Sequence, residues 1–148
     1  MISKALIVLL ITFINITLVM ASNNVLGNKL QLCSSDPLTG FDRSGYCNTG
    51  PNDRGKHTVC SQVTQKFLEY SKARGNDLMT PHPDAKFPGL KDGDKWCLCV
   101  SRWIEAKDAG LAPPVFLESS HENVLDSISL EEFRKYSGGS KAESSDEL

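Results

Sequence analysis

Five cysteines, all between positions 33 and 99, constrain what this chain of 148 residues can fold into more than any other feature. They are Cys33, Cys47, Cys60, Cys97 and Cys99, and an odd number cannot all pair within one chain, so at least one thiol stays free or pairs with another molecule. How many of the rest oxidise depends on where the chain folds, because disulfides persist in secretory compartments and are rare in the cytosol.

The two ends bear on that question. Met1 to Lys4 is a short basic start, Ala5 to Met20 an apolar stretch, and Val19-Met20-Ala21 a small-residue pattern that signal peptidase accepts, so cleavage is expected after Ala21. A retained membrane anchor is disfavoured, since the run falls short of the roughly 20 apolar residues needed to cross a bilayer and is broken by Asn15. At the other end, Ser145-Asp146-Glu147-Leu148 nearly matches the reticulum-retrieval tetrapeptides, departing only at Ser145, where Lys or His is usual. The preceding Gly138 to Ser144 is small and polar and cannot offset the entropy of ordering, which leaves the address accessible. The expectation is a signal peptide over 1–21, one domain over 22–137 and a tail over 138–148. The protein would reside in the endoplasmic reticulum lumen, keep no stable membrane span after cleavage, and bind the retrieval receptor through its C-terminus. The only glycosylation sequon, Asn15-Ile16-Thr17, lies in the segment to be removed.

Between the ends, a little over a hundred residues suffice for one core. Loss of Lys4 moves the formal net charge from -2 to 15 minus 18, or -3, with no basic run, and nucleic acid is not expected as a partner. Asn24 to Gly55 is dense in turn formers, with a short strand expected near Leu30 to Cys33. Thr58 to Ala73 reads as a helix, its Val59, Val63, Phe67 and Tyr70 on one face and Gly75-Asn76 placed to stop it. A loop with three prolines follows. Asp94 then reads as the cap of a second helix ending near Gly110, with Trp96, Cys99, Val100, Trp103 and Ile104 on its buried stripe. Val115 to Leu117 is a candidate strand, and Ser119 and Ser129, each three residues before a Glu, predict two short capped helices. These elements sum to a small single-domain α+β fold with several short helices, few short strands and long ordered loops.

The stretches Asp36-Pro-Leu-Thr-Gly-Phe41, Cys47-Asn-Thr-Gly50, His57-Thr-Val-Cys60, Gly75-Asn-Asp-Leu78, Phe87-Pro-Gly-Leu90, Trp96-Cys-Leu-Cys99, Ala112-Pro-Pro-Val115 and His121 resemble the bacterial family called domain of unknown function 2237, over about residues 24 to 135. The resemblance implies a fold family and no activity. Its members mostly lack signal peptides, which implies cytosolic relatives and argues against a cysteine array that arose as a disulfide framework.

Three readings of the array remain. In the first, four of Cys47, His57, Cys60, Cys97 and Cys99 close a zinc site, although Cys97 and Cys99 would sit about 200° apart on a helix and must lie on extended or first-turn backbone to share an ion. In the second, Cys97 and Cys99 at a helix N-terminus exchange with disulfides. In the third, the cysteines are core or simple disulfides of a structural or binding domain, Cys99 being buried between Trp96 and Trp103. A nucleophile of Cys60 or Cys97 with His121, oriented by Asp77 or Asn76, lacks any sign that the residues meet. The His121 side chain is expected in solvent and His82 in a loop. Gly50 to His57 imitates a phosphate-binding loop but ends in His57 where Ser or Thr would hold magnesium, which excludes that reading. The working expectation is a metal or thiol site at Cys47, His57, Cys60, Cys97 and Cys99. The polar loop from Cys47 to Cys60 and the Gly75-Asn76-Asp77 turn are the further places where a site is expected.

Overall fold

The computed structural model describes residues 21–138; the leader expected over 1–21 and the tail expected over 138–148 lie outside them except at positions 21 and 138. The fold is mixed α+β. Strand β1 (Val59–Gln62) pairs antiparallel with β2 (Lys95–Leu98), and three helices, α1 (Gln65–Ala73), α2 (Val100–Asp108) and α3 (Leu130–Arg134), pack with short 3-10 turns and long loops around them.

Both long helices begin later than their periodicity predicts. Val59, Cys60 and Ser61 are buried in succession, as are Trp96, Cys97 and Leu98. A short run buried on both faces fits a strand as well as a helix, and here the ladder takes it. Asp94 does not cap a helix: its carboxylate accepts the Lys91 N–H at 3.0 Å within the preceding turn. Thr64 caps α1 instead, its hydroxyl accepting the Phe67 N–H at 3.1 Å, and Cys99 becomes the N-cap residue of α2.

Two other expected strands shrink. Leu30 to Cys33 forms no strand, and Val115 makes only isolated bridges, to Ser61 and Ser137. Ser129 does cap α3, accepting the Glu132 N–H at 3.2 Å, whereas Ser119 lies inside a 3-10 turn and His121 caps the next one.

The core joins the two halves of the chain. Phe67 and Leu68 of α1, Val59 of β1, Trp103 of α2, Val115, Val124 and Phe133 of α3 are all fully buried. Trp103 meets Phe133 and Tyr136 edge-on at 5.2 and 5.0 Å, and its indole N–H donates to the Pro113 carbonyl at 3.1 Å, so this large side chain is both packed and satisfied.

A second cluster is built of sulfur. Cys60 and Cys97 face each other across the ladder, yet each bonds to the N-terminal loop: Cys33 to Cys60 and Cys47 to Cys97. The two bridges fasten the turn-rich segment, which has little regular structure of its own, to one rung of the sheet. The Cys97 N–H donates to the Thr39 hydroxyl and the Cys60 N–H to that of Ser120, both buried, so the loops on either side also satisfy the ladder's edges.

Candidate functional site

The two disulfides correct the expectation, drawn from the resemblance, that the array would not be a disulfide framework. They also divide the predicted site. Cys47, Cys60 and Cys97 are buried in bridges, with the sulfurs of Cys33, Cys47 and Cys97 within 4.8 Å of one another. Zinc is bound by thiolates, so these sulfurs are not available as zinc ligands while the bridges are closed. His57 and Cys99 stand apart from them and face each other.

The pairing follows from local backbone. Loop residues Gly50 to Lys56 form successive turns, with Asp53 N–H donating to Gly50 O and Lys56 N–H to Asp53 O. Lys56 then takes a left-handed conformation (φ 49°), and its carbonyl accepts the N–H of Val100, the first residue of α2, at 3.1 Å. That bond moors the loop to the helix start and sets His57 beside Cys99. Gly55 allows the close approach, because a Cβ there would lie 2.7 Å from His57 Cε1 and 2.9 Å from Cys99 Sγ.

His57 is held from both sides. Its Nδ1 lies 2.6 Å from Asp53 Oδ1 and its Nε2 3.2 Å from Cys99 Sγ. Asp53 is fully buried at the side chain; its other oxygen accepts the His57 backbone N–H at 2.8 Å and the Thr49 hydroxyl at 3.1 Å. Burial opposes the charge on Asp53, but these hydrogen bonds and the imidazole outweigh it and hold the carboxyl below its usual range. The hydrogen bond to the Cys99 sulfur, reinforced by Asp53 against the effect of burial, pushes His57 up to about 9. At neutral pH the ring therefore carries both protons, donating one to Asp53 and the other toward sulfur.

Cys99 is the one free cysteine of the five, partly exposed, and makes no capping bond with its sulfur. This corrects the placement of Cys99 in the helix core: only Val100, Trp103 and Ala106 of α2 are buried. Among the described residues no acceptor engages the backbone N–H of Ser101 or Arg102 in the first turn beside it. Phe41 stacks on the other side of His57 at 6.0 Å.

His121 plays no part in this pair. Contrary to expectation it is buried, its Nδ1 accepting the Asn123 N–H at 3.1 Å, and Cys60 and Cys97, its suggested thiol partners, are in bridges. Asp77 is engaged in its own turn, accepting from Met79 and Thr80. Asp53 escaped the sequence reading, although its spacing of four from His57 inside the polar Cys47–Cys60 loop is a visible signal.

Comparison with known proteins adds family but not chemistry. A family described as "Uncharacterized protein conserved in bacteria (DUF2237)" matches residues 23–137. The chain belongs to this family. No curated protein matches it. Among the described residues no helix is long and apolar enough to cross a membrane. The DUF2237 chain thus presents a Cys99–His57–Asp53 array alongside two disulfide bridges.

Proposed function

We propose that this DUF2237 protein uses Cys99 as a nucleophile in acyl transfer or hydrolysis, with His57 as acid and base and Asp53 as the residue that orients it. The observation that carries this reading is the placement of the His57 ring between a buried carboxylate at 2.6 Å and a partly exposed free thiol at 3.2 Å. A nucleophile, a base and a third group that fixes the base form the constellation that covalent catalysis by a thiol needs.

In the proposed reaction the Cys99 sulfur attacks the carbonyl carbon of an ester or thioester. The C–S bond forms as the carbonyl π pair moves onto oxygen, where the free N–H groups of Ser101 and Arg102 at the start of α2 offer donors to the developing charge. The oxygen's pair returns, the bond to the leaving group breaks, and His57 Nε2 delivers its proton to that group. Water or another acceptor, deprotonated by His57, then attacks the thioester and frees Cys99.

Thiol–disulfide exchange through Cys97 and Cys99 fits less well, because it requires opening the Cys47–Cys97 bridge, whose two residues are 0% and 1% exposed. A zinc site of four ligands drawn from Cys47, His57, Cys60, Cys97 and Cys99 would require opening at least the Cys47–Cys97 bridge. The sequence ends support a further part of the proposal, residence in the reticulum lumen and retrieval through Ser145 to Leu148; an oxidising lumen suits two disulfides.

The test is an acyl trap. Incubation with p-nitrophenyl acetate should add one acetyl group to the Cys99 peptide by mass spectrometry and none in Cys99→Ser. Acetylation that persists in Cys99→Ser, or never forms on Cys99, would sink the reading.

A further inference from the structure

A cleft of about 400 Å³, within the range of small-molecule sites, is lined by His57 and by the Phe41 ring stacked on it, though not by Cys99 itself. Its apolar wall includes Phe41, Phe87 and Trp96, the last two edge-on at 5.3 Å. Two charged side chains line it besides His57. Asp77 is already matched by hydrogen bonds from Met79 and Thr80 and by Lys72 at 3.5 Å. Arg43 is not. Its guanidinium lies over the Trp96 ring at 5.0 Å and donates to the carbonyls of Gly40 and Ala85, but among the described residues it pairs with no carboxylate and its buried Nε has no hydrogen-bond partner.

Arg43 thus brings to an apolar wall a positive charge that no carboxylate of the described residues matches, and an anion in the cleft would find a charge-assisted hydrogen-bond donor there. Resting on the nucleophile reading above, the geometry points to this cleft as the acyl-group site of Cys99, built for a donor with an aromatic or branched apolar body and a carboxylate that Arg43 binds. His57 connects the two parts, since it lines the cleft and hydrogen-bonds the sulfur. Arg43 acts here as a specificity residue and touches only the far end of the donor.

Binding is tested apart from reactivity, using the full-length protein with Cys99→Ser. Three probes of one shape, 3-phenylpropanoate, its neutral amide and 3-phenylpropylamine, are titrated by tryptophan fluorescence and by NMR shifts of Phe41, Trp96 and His57. The carboxylate should bind at least about tenfold more tightly than the amide, a difference of one charge-assisted hydrogen bond, and the amine should not bind. Arg43→Gln should erase the preference. In the wild-type protein 3-phenylpropanoate should also slow alkylation of Cys99 by iodoacetamide. No binding, equal binding of carboxylate and amide, or shifts confined to other residues would overturn the anion site, and this comparison needs no variant at Arg43. Selective binding without protection of Cys99 would overturn the link to the thiol. An unreactive Cys99 with selective binding intact would overturn the nucleophile reading and leave the anion site standing.

Discussion

Around the Cys60–Cys97 rung sulfur is buried, oxidised and cut off from solvent, whereas two residues further along the same segment the Cys99 sulfur is partly exposed, reduced and set against an imidazole. The difference comes from backbone. Cys97 lies in β2, where its side chain meets Cys47 from the loop that covers the sheet. Cys99 lies where strand turns to helix, and the Lys56–Val100 bond brings a polar loop there instead of a cysteine. The first region holds the loops on the sheet, and it leaves one thiol over for the second.

The largest expected effect is the complete loss of acylation and alkylation in Cys99→Ser, with the fold and both disulfides kept, as for a partly exposed site outside the core. Cys47→Ser should do the reverse. Opening a bridge between residues 50 apart in sequence is worth about 4 kcal/mol by loop-closure entropy, read from the denaturant midpoint, while any molecules still folded keep a reactive Cys99. If Cys47→Ser leaves stability intact, the bridge is not a structural clamp and the contrast between the regions fails.

Asp53→Asn should be milder. The amide can still accept from the His57 backbone, but it no longer holds a charged ring, and the rate of Cys99 alkylation at pH 7 should fall by roughly tenfold or more. A rate equal to wild type would remove Asp53 from the array.

These variants also mark how far the sequence could be read. The α+β class, the core of Phe67 and Trp103 and the Ser129 cap follow from pattern alone, because burial at helical spacing and capping chemistry are local. The strands were hidden because Val59 to Ser61 and Trp96 to Leu98 are buried on both faces and carry no alternation, so the adjoining helical period was extended through them. Disulfide pairing is non-local and has no signature in spacing. Cys99 was placed in the core because its position continues the apolar stripe of Trp96 and Trp103; with Trp96 in a strand, that stripe does not exist. Asp53 and His57 were legible as polar residues of a turn-rich loop, but not their meeting with a thiol 42 positions away.

Smaller effects sharpen the comparison. Gly55→Ala would place a methyl group 2.7 Å from His57 and 2.9 Å from Cys99, separating the pair; Cys99 reactivity should drop several-fold with the disulfides unaffected, as free-thiol counting can check. The two histidines should give opposite pH responses. For His57 the folded value, about 9, is raised above the unfolded 6.5, so its stabilisation is complete below pH 6.5 and lost as pH rises toward 9. Burial depresses His121 instead, so the unfolded chain takes up its proton first and stability falls as pH drops below 6.5. Following each ring by NMR across that range should show His57 titrating late and His121 early.

The rate of Cys99 alkylation by iodoacetamide at pH 7, in wild type and in His57→Gln, addresses the central claim most directly. If the His57 ring 3.2 Å away activates the sulfur, the wild-type protein reacts at least about tenfold faster than His57→Gln. Equal rates for the two proteins would contradict it.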